Sequence, residues 1–144
     1  MRKLKDWVPR LERTFKEAKF KTFDVREFNC CTFAADCVEA QIGIDPIKDW
    51  RHEFKNVRTA CRFFKNLAGS SFMTAAYQVA ANIGAKEIRP TYVQRGDVVI
   101  AENEAKEEIF AVIDLSARWV IGVRPDKGLQ AEPLSVIKRA WRIG

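Results

Sequence analysis

The sequence predicts an α+β domain in which amino-terminal helices pack on a carboxy-terminal antiparallel sheet. Apolar residues in the first half recur at spacings of three and four, as at Trp7, Leu11, Phe15 and Ala18. After Pro90 the texture changes to short β-rich runs separated by polar turns. Helices lead and strands follow, the order of an α+β chain. With 144 residues, residues 1–144 form a single domain able to bury roughly 70% of its unfolded surface.

The elements follow in order. Residues 6–20 read as an amphipathic helix, with Lys and Arg between the apolar positions and Pro9 in a tolerated early position. Residues 21–28 lack that period and read as an extended loop. Asn29 is a good N-cap and Gly43 a good C-terminal stop, and between them Phe33, Ala34, Cys37, Val38 and Gln41 line one helix face. Asp45-Pro46 starts a short helix through Trp50, a further helix spans residues 59–67, and Ser70 or Ser71 caps one ending at Asn82 and Gly84. Residues 98–101, 109–113 and 119–123 form a three-strand meander. A turn at residues 126–128 and a short segment through Pro133 lead to a last strand at residues 139–143, where alternation makes Trp141 a core anchor.

Hydrophobic residues make up 47% of the chain and charged ones 31%, the composition of an ordinary globular domain. The longest apolar runs fall far short of the ~20 residues that span a bilayer, and residues 1–6 lack the apolar region of a signal peptide. Synthesis in the cytoplasm is expected. Net charge is +6, with eight basic and three acidic residues in residues 1–21 and four Glu against one Lys in residues 102–108. Such a field suits an anionic partner without selecting among nucleic acid, an anionic wall polymer and an acidic protein.

Three of the four cysteines, Cys30, Cys31 and Cys37, fall within eight residues at the start of the second helix. Adjacent helical residues point about 100° apart. That spacing, with Cys61 far off, is poor for a metal site or a secreted disulfide framework, so reduced thiols and no metal or cofactor are expected. Cys30, Cys31 and Cys37 all read first as small buried apolar side chains, as free cysteines usually are. Cys30 differs by position, since a helix amino terminus favours a thiolate.

A cysteine opening a helix that packs on a later antiparallel sheet is the papain-like arrangement. The segments Asn29-Cys30-Cys31-Thr32-Phe33-Ala34-Ala35-Asp36, Gly43-Ile44-Asp45-Pro46, Arg95-Gly96-Asp97-Val98-Val99, Gly128-Leu129, Pro133-Leu134 and Ala140-Trp141-Arg142-Ile143-Gly144 run in family order. The chain resembles the NlpC-type cell-wall peptidases, and more closely a group of small phage-encoded domains of uncharacterised function. The resemblance implies an NlpC/papain-like fold, a place among phage tail proteins, and Cys30 as the vestige of a nucleophile. Asn29 stands where the peptidases have Asp, and Phe110 where their catalytic histidine begins a strand. The chain's one histidine, His52, matches no family motif.

Arg51, Lys55, Arg58, Arg62 and Lys65 recur at spacings of four and three and would form one basic stripe on a continuous helix. No nucleic-acid-reading motif accompanies it, so a protein or wall surface is the favoured partner. The function that the resemblance implies is a structural component of a phage or prophage tail tip or baseplate, made in the bacterial cytoplasm, carried in the virion and bound to other tail proteins. Its peptidase activity is expected to be lost. The alternatives are a cell-wall cysteine peptidase or amidase using Cys30, with His52 as an unorthodox base, and a small basic nucleic-acid-binding module.

Overall fold

The computed structural model describes residues 2–51, 72–103 and 106–144. Three helices, α1 (Trp7–Ala18), α2 (Cys30–Ile42) and α3 (Phe72–Ile83), precede or flank a six-stranded sheet. Its strands are β1 (Lys86–Ile88), β2 (Val98–Glu102), β3 (Glu108–Ile113), β4 (Trp119–Arg124), β5 (Gly128–Pro133) and β6 (Ile137–Arg142). They lie in the order β1-β6-β2-β3-β4-β5, and every neighbouring pair is antiparallel. The architecture is α+β, as the order of periodicities predicts.

Strand alternation divides the core into two layers. Val98, Ile100, Phe110, Val112, Ile121, Val123 and Trp141 pack with residues of the helices. Val99, Ala101, Ile109, Ala111, Ile113, Val120 and Ala140 fill the opposite face, with Ile88, Val93, Val136 and Ile137 packed against them. Small Ala side chains at alternate positions let that face close tightly. At Gly122 an added Cβ would come within 2.6 Å of the Ile109 side chain.

Helix α2 is central. Ten of its 13 residues are buried, so it is apolar almost all round rather than along the one face expected, as fits a helix enclosed on several sides. It packs between α1 and strands β3 and β4. Gly43 closes it in the left-handed conformation, φ 75°, donating its N–H to Glu39 O at 2.8 Å.

Several expectations are corrected. Residues 46–50 form turns rather than a helix, held by Asp45 Oδ1 accepting the Ile47 N–H at 3.1 Å. The segment before Pro133 is a full strand, β5, which extends the meander to four strands. The last strand starts and ends earlier than expected, at Ile137–Arg142, and the polar strand β1 pairs with its edge. The helix expected at residues 59–67 lies outside the described residues.

Candidate functional site

The amino terminus of α2 is held from both sides. Asn29 Oδ1 accepts the N–H groups of Cys31 at 2.9 Å and Thr32 at 3.0 Å, while Thr32 Oγ1 accepts the Asn29 N–H at 2.9 Å. This reciprocal capping box satisfies backbone donors that a bare helix start would leave open. Asn29 Nδ2 reaches back to Val25 O at 2.8 Å, and Asp24 and Phe28 exchange two backbone hydrogen bonds of 2.8 and 2.9 Å. The loop is thereby fixed to the helix. Asn is among the strongest N-caps, so the geometry is set here without a charge.

Cys30 is the first residue of this helix and is half-buried, whereas Cys31 and Cys37 are buried. Its thiol is shifted below the usual cysteine range by a hydrogen bond from the Cys31 side chain, which outweighs burial. The Phe110 backbone N–H and the Arg124 guanidinium act in the same direction. Burial pushes Cys31 and Cys37 well upward. The three thiols of one helix thus split into one with a lowered pKa and two with raised ones.

Among the described residues, those that polarise Cys30 include no imidazole or carboxylate to accept its proton. Arg124 Nε and Nη2 both donate to Glu132 Oε1, at 2.9 and 2.7 Å, and a guanidinium cannot take up a proton. Phe110 lies on β3 beside Cys30, and its ring packs into a cluster with Cys31, Ala35 and Ile47 that Cys30, Trp50 and Val79 also join. Phe110 thus gives the thiol a backbone hydrogen bond and adds an apolar ring to the cluster that Cys30 joins. His52 lies outside the described residues. Among the described residues no three His, Cys, Asp or Glu side chains converge as a metal site would require, and no helix is long and apolar enough to cross a membrane.

Of the basic stripe, Lys55, Arg58, Arg62 and Lys65 lie outside the described residues, as does Cys61. Arg51 is described, and its charge is already compensated. Its Nη2 is 2.9 Å from Asp36 Oδ1 and its Nε 2.8 Å from Asp45 Oδ2. Its side chain is 22% exposed, so it joins α2 to the turn that follows.

Two polar keystones are joined to partners far along the chain. Asp97 is fully buried; its carboxylate accepts the Gln94 N–H at 2.7 Å and Arg142 Nε at 3.1 and 3.2 Å. Burial nevertheless raises its pKa against those bonds. Gln41, also fully buried, donates from Nε2 to Cys37 O at 3.1 Å and Gly96 O at 2.8 Å. Gly96 has φ 87°, and a Cβ there would collide with Gln41 Oε1. The Arg95-Gly96-Asp97 run is thus a structural latch between α2, β2 and β6. A glycine followed by aspartate at the mouth of a strand was its single visible sign in the sequence.

No curated protein matches the chain significantly. A family model does, over residues 2–143, nearly the whole length and including the Cys30 helix, the latch and all six strands. The chain belongs to the family described as a domain of unknown function, DUF6950.

Proposed function

We propose that this chain is an interaction and structural domain of a phage or prophage tail, at the tip or baseplate, with an NlpC-type papain-like fold and no peptidase turnover. The observation that carries the second half of this reading is Phe110 on β3, whose backbone helps polarise Cys30 and whose ring joins the same apolar cluster. A cysteine peptidase needs a base within hydrogen-bond reach of its thiol, and that same group must return a proton to the leaving amine. Such transfer is commonly worth ~10²–10⁴ in rate. Phe110 can do neither, and Arg124 can only stabilise charge. The capped helix and antiparallel sheet support the fold assignment, and the ordered segments of the resemblance support the tail assignment.

The test compares purified wild type with Cys30→Ala on peptidoglycan fragments and acyl amides. Neither protein should release product, and Cys30→Ser should assemble as wild type does. Cleavage by wild type that disappears in Cys30→Ala would overturn the pseudo-enzyme reading. Absence of the chain from purified tail particles, measured by mass spectrometry, would overturn the virion reading.

The lowered Cys30 pKa favours one alternative, a cell-wall hydrolase that uses Cys30 as nucleophile. It requires a base such as His52. The same assay decides between the two, with His52→Ala abolishing turnover if the alternative holds.

A further inference from the structure

A cluster of positive charge surrounds the latch at the Asp97 end of the sheet. The register puts Trp141 opposite Val98, so Arg142 arrives beside Asp97 and uses its Nε on the carboxylate. Its Nη2 donates to Tyr92 O at 2.8 Å. Asp97 is buried and also accepts the Gln94 N–H. That carboxylate neutralises about one charge, and Arg142 holds it. Lys3 and Arg95 remain. Lys3 Nζ lies 3.8 Å from the centroid of the Trp7 ring, and the Arg95 guanidinium carbon lies 5.1 Å from the same centroid. One aromatic ring therefore holds two cationic heads close to a third.

Holding like charges together is unfavourable unless something compensates. Lys3 feels all of these groups: burial is the largest effect and lowers its pKa, Asp97 opposes that, and Arg142 and Arg95 lower it further. Neither Lys3 nor Arg95 has a carboxylate within salt-bridge distance among the described residues. Their positions are fixed in advance. Lys3 packs so closely on Gly144 that a Cβ there would lie 2.6 Å from Lys3 Cγ, and Arg95 precedes the Gly96 turn that Gln41 locks. Preorganised heads lose little entropy when they meet an anion. Arg2 and Lys5, both exposed, widen the field around them.

We propose that Lys3, Trp7 and Arg95 form a carboxylate-recognising contact surface that docks an acidic segment of a partner protein. The cluster is compact: its heads converge on one ring instead of being spaced along a groove, as tracking a nucleic-acid backbone would require. It suits one or two carboxylates delivered together. This proposal rests on the interaction-domain reading and names the chemistry of the partner. Its failure would leave the peptidoglycan assay untouched.

The test uses the full chain with two probes of equal charge at low ionic strength, poly-L-glutamate and a single-stranded DNA oligonucleotide. Poly-L-glutamate should bind and shift the Trp7 indole resonance, and Lys3→Ala with Arg95→Ala should weaken binding about tenfold. Removing two exposed cations elsewhere, Lys19→Ala with Lys127→Ala, should leave it nearly unchanged. If loss of Lys3 disturbs the fold, Arg95→Glu alone carries the same comparison, because Arg95 is exposed. Equal weakening in both double variants, or no shift at Trp7, would overturn the proposal. Tighter binding of the oligonucleotide through the same residues would overturn the partner class.

Discussion

Replacing Trp141 by alanine measures how much of the stability rests on the junction between sheet and α3. The side chain is 3% exposed and clusters with Ile100, Ala76 and Ala80, with Phe110 packed alongside. Its ring meets Tyr77 edge-on at 5.6 Å between centroids. Truncating a buried aromatic to alanine costs about 3–5 kcal/mol, because both transfer energy and cavity contacts are lost. The ring pair is part of that sum, at about 0.5–1.5 kcal/mol. A domain of this size is stable by about 5–15 kcal/mol, so a large share disappears. At about 2–4 °C per kcal/mol, the melting temperature should fall by roughly 6–20 °C. Urea denaturation should show a lower midpoint at an unchanged slope. A double-mutant cycle with Tyr77→Leu isolates the ring pair. A loss below about 1 kcal/mol would refute the claim that this residue anchors the core.

Three further outcomes follow from individual contacts. Native protein treated with a small alkylating reagent should be modified first at Cys30, which is half-buried with a lowered pKa, while Cys37, fully buried with a raised one, should react on unfolding; equal rates by peptide mapping would contradict the polarised site. Gly96→Ala should destabilise by more than about 1–2 kcal/mol, the cost of left-handed backbone alone, because the new Cβ also meets Gln41; thermal unfolding measures it, and a neutral effect would remove the latch. Burial raises the Asp97 pKa, so its favourable contribution is present below the ordinary carboxylate range and is lost as pH rises through the folded value. Wild type should therefore gain stability relative to Asp97→Asn as the solution is acidified from neutrality, and a constant difference between the two denaturation curves would exclude the shift.

What the sequence made legible was local. Asn29 and Gly43 mark the ends of α2 because capping is decided within four residues of chain. Strands β2, β3 and β4 are visible because their β-branched runs alternate between two buried faces. Strand β1 is three residues, two of them charged, and exists through its pairing with β6 more than 50 positions away. Strand β5 has the sequence Gly128-Leu129-Gln130-Ala131-Glu132-Pro133, with no β-branched residue, and is held by its register on β4. The contacts that organise the site share this property. Asp97–Arg142 spans 45 positions and Gln41–Gly96 spans 55, so no window of sequence contains both partners.

The same distinction separates the scaffold from the chemistry around Cys30. The scaffold rests on Asn29, Thr32, Gln41, Gly96 and Asp97, joined by the capping box, the Gln41 Nε2–Gly96 O bond and the Gln94 N–H on Asp97. Turnover would need a proton acceptor close to the thiol, and on β3 the described residue that shares the Cys30 cluster is Phe110, a phenyl ring that contributes to packing. Substituting an imidazole at Phe110 would bring a proton acceptor into the cluster that Cys30 joins, but it would also set polar ring nitrogens among apolar side chains at a cost of roughly 1–3 kcal/mol if they remain unpaired. Phe110→His should therefore lower stability and, in the same protein, speed alkylation of Cys30 near neutral pH. A variant that loses stability without any change in Cys30 reactivity would show that position 110 does not face the thiol, and the reason for assigning an interaction role rather than a hydrolytic one would fall with it.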